Sequence, residues 1–211
     1  MRYAGRTTLA ALILALSLSG AAAAVMSDEL SANHLDANVA YERGDYTTAL
    51  SLYRPLAEGG NADAQASLCI MYAVGQGVPQ DYDPAVMWCH KAADQGDASS
   101  QYNLGLMYYE GQGVPQDHWE AAKWYGMAAD QGVTSAQNNL GGMYLNGRGV
   151  PQDYVLAHKW YNLAAASTPA SETESRNRAV KNRDLVASKM TPAQIAEAQK
   201  LAREWKRKLG K

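Results

Sequence analysis

The sequence predicts an all-α protein, an α/α solenoid of about four helix-turn-helix units with three full repeats and a C-terminal capping helix. Three observations lead to this fold. The string GQGVPQDY at residue 75 recurs as GQGVPQDH at 111 and GRGVPQDY at 147, a spacing of 36 residues each time. The apolar residues between the copies follow helical spacing. Because the predicted helices are too short to bury their apolar faces alone, neighbouring units must stack on one another.

The first 24 residues have the three-part layout of a secretory signal peptide. Arg2 and Arg6 precede an apolar run from Leu9 to Leu18, and small residues follow as far as Ala24. This run is shorter than the roughly 20 apolar residues that a membrane-spanning helix needs. We therefore expect cleavage near Ala24, secretion to the periplasm, and no stable membrane insertion after cleavage.

The charge of the chain is unevenly distributed. Residues 25–171 hold 6 Lys and Arg against 16 Asp and Glu, whereas residues 172–211 hold 11 against 5. Binding to nucleic acid requires a basic surface for the phosphates. The acidic body of the chain therefore argues against a nucleic-acid partner and leaves a basic protein partner open.

Each repeat is predicted to contain two short antiparallel helices, helix A and helix B, joined by the glycine loop. The loop has the residues of a stiff turn: a glycine that suits a left-handed helix cap, a proline that stops helix A, and an aspartate that caps helix B. A phosphate-binding loop would need a preceding strand and a Lys-Ser/Thr ending, which the sequence lacks. The turn residues are Gly75, Gly111, Gly147, Pro79, Pro115, Pro151, Asp81, Asp117 and Asp153.

The segments that flank the repeats depart from the 36-residue pattern. Residues 25–60 are predicted to form a degenerate first unit with helix A near 29–42, residues 61–166 the three repeats, and residues 167–211 a linker and basic C-terminal capping helices. Thr191 and Gln194 have capping-box spacing. The last helix has one apolar face, formed by Ile195, Ala198, Leu201, Trp205 and Leu209. Rather than cap the solenoid, this helix could lie on anionic lipid.

The two cysteines, Cys69 and Cys89, lie at equal distances from the loop of the first full repeat. On two antiparallel helices such positions should face each other, so we expect a disulfide that contributes about 3 kcal/mol. Two buried free thiols are the alternative. The equivalent positions of the other repeats are Gly105, Gly141, Tyr125 and Tyr161.

No residue pattern predicts catalysis, a metal site or a cofactor. Cys89 and His90 are adjacent on a helix, where neighbouring residues do not face each other. The sequence contains no His-x-x-x-His, Cys-x-x-Cys or Gly-x-Ser-x-Gly motif. We therefore expect that the protein is not an enzyme and that it holds neither a metal ion nor a cofactor.

The repeat unit resembles a known family. Within 36 residues it contains Leu-Gly-x-x-Tyr, then Gly-x-Gly-Val-Pro-Gln-Asp-Tyr, then Ala-x-x-Trp-Tyr-x-x-Ala-Ala. This combination is similar to the Sel-one-like repeat (SLR), a relative of the tetratricopeptide repeat. The resemblance implies a right-handed α/α solenoid and a secreted bacterial scaffold for protein–protein interaction in the cell envelope. A cell-wall or glycan-binding module is the alternative, and a hydrolase such as a β-lactamase-like enzyme is the least favoured.

Correspondence with tetratricopeptide repeats also predicts a concave binding groove, lined by helix A residues that point away from their own helix B. Residues 61–74, 97–110 and 133–146 contain no Lys or Arg. We therefore expect the partner to be a protein or peptide with a neutral or basic extended segment rather than an acidic C-terminus. The predicted groove residues are Tyr102, Asn103, Leu106, Tyr109, Glu110, Asn138, Asn139, Leu145 and Asn146.

Overall fold

The structure is a computed structural model that describes residues 33–168 and 171–209. The predicted signal peptide (1–24) and residues 29–32 of the predicted first helix lie outside the described residues. Within those residues all regular secondary structure is helical, and the predicted α/α solenoid is confirmed. Its helices are α1 (33–42), α2 (Tyr46–Glu58), α3 (Ala62–Val74), α4 (Tyr82–Asp94), α5 (Ala98–Glu110), α6 (His118–Asp130), α7 (Thr134–Asn146), α8 (Tyr154–Ser167), α9 (Thr173–Ala187) and α10 (Pro192–Leu209).

The three repeats are helical hairpins that stack in chain order. Helix A and helix B of each repeat are α3 with α4, α5 with α6, and α7 with α8. The helix B elements α4 and α6 also pack on the helix A that follows them. The recurring leucines on the helix A elements and the recurring tryptophans on the helix B elements are buried. They are Leu68, Leu104, Leu140, Trp88, Trp124 and Trp160.

The turn between the two helices has the predicted caps. Gly111 is left-handed with φ +72°, and its N–H donates to the backbone carbonyl of Met107. Asp117 is the N-cap of α6, and its carboxylate accepts hydrogen bonds from the N–H groups of Trp119 and Glu120 at 2.9 and 3.1 Å. The other two repeats have the same left-handed glycine and the same capping aspartate.

The second glycine of each loop has a role that the sequence analysis did not predict. A Cβ atom on Gly113 would lie 2.6 Å from the backbone oxygen of Tyr82, at the start of helix B in the preceding repeat. Gly77 and Gly149 approach the preceding unit in the same way. The Gly-x-Gly pair therefore combines a helix cap with a contact between repeats, and only a glycine fits that contact.

Cys69 and Cys89 form a disulfide, with their Cα atoms 5.0 Å apart. Both residues are fully buried between α3 and α4. In the next repeat a Cβ on Gly105 would lie 2.5 Å from the ring of Tyr125. The glycine–tyrosine contact of one repeat and the disulfide of another thus occupy the same place in the hairpin.

The two C-terminal helices each pack mainly against α8. Helix α9 buries Ala179 and Val186, and it begins at Thr173 within a stretch that was expected to be a loose linker. Helix α10 buries Ala198 and Ala202. At the start of α10 the predicted capping box is present, since Gln194 Oε1 accepts from the Thr191 N–H at 2.9 Å and the Gln194 N–H donates to Thr191 Oγ1 at 3.3 Å.

A tryptophan near the end of α10 joins this helix to the last two repeats. The Trp205 ring meets Trp160 edge to face, with the ring centroids 6.2 Å apart. Trp205 Nε1 also donates to Asp130 Oδ1 at 3.0 Å, at the end of α6. None of the described helices is both long enough and apolar enough to cross a membrane.

Candidate functional site

A cavity of about 460 Å³ lies between α5, α7 and α9. This volume is within the range of roughly 300–1,000 Å³ that ligand pockets have. From the helix B elements it is lined by Tyr125 on α6 and Tyr161 on α8. The cavity is therefore lined by elements of two repeats and by the helix that follows them.

Seven of the nine predicted groove residues line this cavity. They are Tyr102, Leu106, Tyr109, Glu110, Asn138, Asn139 and Asn146. Asn103 is half-buried outside the lining. Leu145 packs instead in a small apolar cluster that includes Tyr161 on α8 and Val186 on α9.

Tyr109 is held from two sides. Its ring lies 4.9 Å from that of His118, measured between ring centroids, and its hydroxyl accepts a hydrogen bond from Arg148 Nη1 at 2.6 Å. The Arg148 side chain comes from the loop after α7, where the other two loops have glutamine at this position. An aromatic side chain that is already ordered loses less conformational entropy when it binds a ligand.

The other aromatic wall of the cavity is formed by Tyr102 and Tyr125, with ring centroids 5.8 Å apart. Burial raises the pKa of Tyr125, and a hydrogen bond with Asn139 opposes that rise. Burial also raises the pKa of Tyr161. These hydroxyls therefore stay neutral near pH 7 and can both donate and accept hydrogen bonds.

The amide of Asn138 gives the cavity wall an acceptor without a partner. Asn138 Nδ2 donates to the Thr134 backbone oxygen at 3.3 Å, but its Oδ1 has no hydrogen-bond partner within the described residues. Buried polar atoms in proteins are nearly always hydrogen-bonded. Because this oxygen is inaccessible, a ligand would reach it only after the side chain turns.

Helix α9 and its N-cap residue contribute four lining residues that the sequence analysis did not predict: Glu172 at the N-cap, and Ser175, Arg178 and Asn182 on the helix. The loss of the repeat pattern after α8 signalled that this segment differs, but it did not show that the segment lines the same cavity as α5 and α7. Arg148 was missed as well, although its departure from the glutamine of the other loops was visible in the sequence.

The lining carries two positive and two negative side chains. Arg148 and Arg178 are the cations, and Glu110 and Glu172 are the anions. Among the described side chains none of these four takes part in a salt bridge. The cavity therefore presents unpaired charges of both signs beside tyrosine and asparagine side chains.

The groove-facing positions differ between repeats, whereas the packing positions recur. One groove position holds Ala66, Tyr102 and Asn138 in the three repeats, and another holds Ile70, Leu106 and Gly142. Packing restricts the buried positions to a few residue types, and that restriction is absent from the groove. The variation is what a repeat scaffold with a ligand-specific surface would have.

No group of three His, Cys, Asp or Glu residues that could hold a metal ion is present in the described part of the chain. The described part also contains no free cysteine. The residues of the cavity are suited to hydrogen bonding, aromatic contact and ion pairing.

The fold and the cavity define an α/α repeat protein with a ligand-sized groove. Three segments, residues 62–97, 98–133 and 134–168, match the Sel1 repeat, and the chain belongs to the Sel1 repeat family. Proteins of this family generally act as scaffolds for protein–protein interaction.

Two solved structures show the same fold. A Sel1 repeat protein from Oxalobacter formigenes is 33% identical, with a TM-score of 0.66 over 72% of this chain and 58% of that one. The protein c5321, a protective antigen of uropathogenic Escherichia coli with an SLR fold, is 31% identical, with a TM-score of 0.54 over 75% of this chain and 40% of that one. In both cases the match spans less than two thirds of the other chain. No curated protein matches significantly.

Proposed function

We propose that this protein is a secreted, periplasmic scaffold without enzymatic activity, and that the cavity between α5, α7 and α9 binds an extended segment of a protein partner. The observation that carries this proposal is the tyrosine and asparagine lining of a ligand-sized cavity on a recurring helical framework. Aromatic side chains supply much of the energy in protein interfaces. Side-chain amides can hydrogen-bond the backbone of an extended segment.

The periplasmic location rests on two observations. The first is the signal-peptide pattern of residues 1–24, which precede the described part of the chain. The second is the disulfide between Cys69 and Cys89, because such bonds persist in oxidising compartments. The mass of the mature protein purified from the periplasm should correspond to a chain that begins near Val25.

The proposal is tested by photo-crosslinking with the purified envelope fraction. A photoreactive residue at Asn146, which is exposed and lines the cavity, should capture a partner protein, whereas the same residue at Met87, exposed on α4 outside the cavity, should not. The double substitution Tyr102→Ala and Tyr109→Ala should abolish the crosslink from Asn146. If capture from both positions is equal, or if the double substitution leaves it unchanged, the cavity is not the binding site.

A cell-wall glycan is the second candidate ligand. The observation that favours it is the combination of tyrosine faces with several asparagine amides in one cavity, since sugars bind through aromatic contacts and many hydrogen bonds. Sedimentation with purified peptidoglycan distinguishes the two candidates. Sedimentation that the tyrosine substitutions abolish, without any crosslinked protein, would favour the glycan.

A further inference from the structure

One side of the cavity is lined by the chain's own helix α9. Ala179 and Val186 fix this helix to the last repeat, and its side chains Ser175, Arg178 and Asn182 face the same space as α5 and α7. An extended segment that crosses α5 and α7 would therefore reach the side chains of α9. A segment that ends there would place its terminal carboxylate beside them.

The cavity also carries two arginines, one of which, Arg148, donates a hydrogen bond to the Tyr109 hydroxyl. Arg148 and Arg178 both line the cavity, and neither belongs to a salt bridge among the described side chains. Arg148 is one of only six Lys and Arg residues in residues 25–171. A guanidinium group binds a carboxylate through two parallel hydrogen bonds, and the resulting pair is stronger than a neutral hydrogen bond.

We propose that the cavity binds the free carboxyl terminus of an extended protein segment, with Arg178 and Arg148 as the partners of the terminal carboxylate. The proposal rests on the proposed function and adds the chemical identity of the bound end. It modifies the expectation that the partner has no acidic C-terminus, because that expectation considered only the helix A segments. The two arginines lie outside those segments, one in a loop and the other on α9.

The remainder of the groove suits a neutral or basic residue before the terminus. Glu110 and Glu172, which also line the cavity and have no salt bridge, can pair with a cationic side chain of the same segment. On the first repeat the equivalents of Leu106 and Glu110 are Ile70 and Val74, and Val74 is 60% exposed. An apolar side chain further from the terminus would contact them.

Two random heptapeptide libraries test the inference, identical except that one has a free C-terminal carboxylate and the other a C-terminal amide. We expect that the full mature protein selects binders from the free-acid library only. For the best binder, Arg178→Gln and Arg148→Gln should each weaken binding by about tenfold or more, since hydrogen bonds to charged groups contribute about 1.5–3 kcal/mol. Arg148→Gln restores the residue that the other two loops contain.

The matched control is Arg176→Gln. Arg176 lies on the same helix, is exposed and does not line the cavity, so this substitution should leave affinity unchanged. Thermal unfolding of each variant checks that the fold is retained.

The remaining outcomes separate this inference from the proposed function. If both libraries yield binders equally and Arg178→Gln has no effect, the carboxylate inference is wrong. If those binders are still lost on Tyr102→Ala and Tyr109→Ala, the proposed function stands. If neither library yields a binder that depends on those tyrosines, the proposed function fails as well. A third probe is a muropeptide, a cell-wall fragment whose carboxylates do not belong to a protein. If this probe alone binds and Arg178→Gln abolishes its binding, the bound carboxylate comes from the cell wall and the inference of a protein C-terminus is wrong.

Discussion

Gln131 donates its side-chain amide to Gln101 Oε1 at 2.8 Å, and Gln101 in turn donates to the backbone oxygen of Ala93 in the preceding repeat at 3.1 Å. Gln101 is buried. The two glutamines therefore connect the end of helix B to helix A of the same repeat and to the repeat before it. The same arrangement occurs one repeat earlier, where Gln95 donates to Gln65 at 2.7 Å.

This chain of glutamines is incomplete in the last repeat. Gln137 donates to the Ala129 backbone oxygen at 3.2 Å, but its Oε1 is buried and has no hydrogen-bond partner among the residues that the structure describes. The residue equivalent to Gln131 in that repeat is Ser167, whose side chain is too short to reach it. We predict that Ser167→Gln raises the free energy of unfolding by about 1 kcal/mol, because it supplies the missing donor.

Urea unfolding monitored by circular dichroism measures this change. Ser167→Ala is the control and should give no gain. The reciprocal variant Gln131→Ser should destabilise the protein by about 1–3 kcal/mol, because it leaves the buried acceptor of Gln101 unsatisfied. Equal stabilities for the Gln and Ala variants at residue 167 would show that the unpaired oxygen has no energetic importance.

The packing of Gly105 against Tyr125 provides a second prediction. A Cβ at residue 105 would lie 2.5 Å from the tyrosine ring, so Gly105→Ala should destabilise the protein by about 1–3 kcal/mol. Gly126, also within a helix, is the matched control because a Cβ there would meet nothing within 4 Å. Gly126→Ala should therefore stabilise the protein by about 0.4–1 kcal/mol. The pair of thermal unfolding curves checks both signs, and a Gly105→Ala variant as stable as the wild type would refute the packing argument.

Reduction of the Cys69–Cys89 bond provides a third prediction. Adding dithiothreitol to the folded protein should lower the free energy of unfolding by about 3 kcal/mol. The double substitution Cys69→Gly and Cys89→Tyr rebuilds the contact of the other two repeats. That variant should be insensitive to reductant and more stable than the double alanine variant, which leaves a cavity. A double alanine variant as stable as the rebuilt pair would contradict the equivalence of the two contacts.

A fourth prediction concerns His158, which stands where the other repeats have Val86 and Ala122. The ring is buried and its Nδ1 has no partner among the described residues. Burial, together with the nearby Arg183, lowers the pKa of His158 below its ordinary value, although Asp184 acts in the opposite direction. As the pH falls below about 6.5, the unfolded chain therefore binds a proton before the folded protein does.

The free energy of unfolding should consequently decrease as the pH falls from 7 toward 5, by at most about 1.4 kcal/mol per pH unit for one proton. Unfolding by urea at several pH values measures the slope. His158→Val, the residue of the first repeat at this position, should reduce the slope. His118→Tyr, the residue of the other two loops, leaves His158 in place and should retain the slope. The interpretation is wrong if His158→Val has no effect on the pH dependence.

Much of the fold could be predicted because its determinants are local or periodic. The left-handed glycine, the proline and the capping aspartate act on backbone groups within a few residues of themselves, and a constant step of 36 residues shows that the hairpins stack. The facing of Cys69 and Cys89 followed from the same periodicity. These features require only hydrogen bonding within a turn and burial of one apolar face.

The tertiary structure alone decided the features that join segments without a shared pattern. Helix α9 is not part of any repeat, so nothing in its spacing could place Arg178 in the same cavity as Arg148, or Val186 in the same apolar cluster as Leu145. The contact of Gly113 with Tyr82 depends on how closely two backbones approach, which is set by the packing of whole repeats. The sequence by itself determined a stack of helical hairpins with a groove. Which further side chains line that groove was decided by the packing of the non-repeating helix α9 against α8.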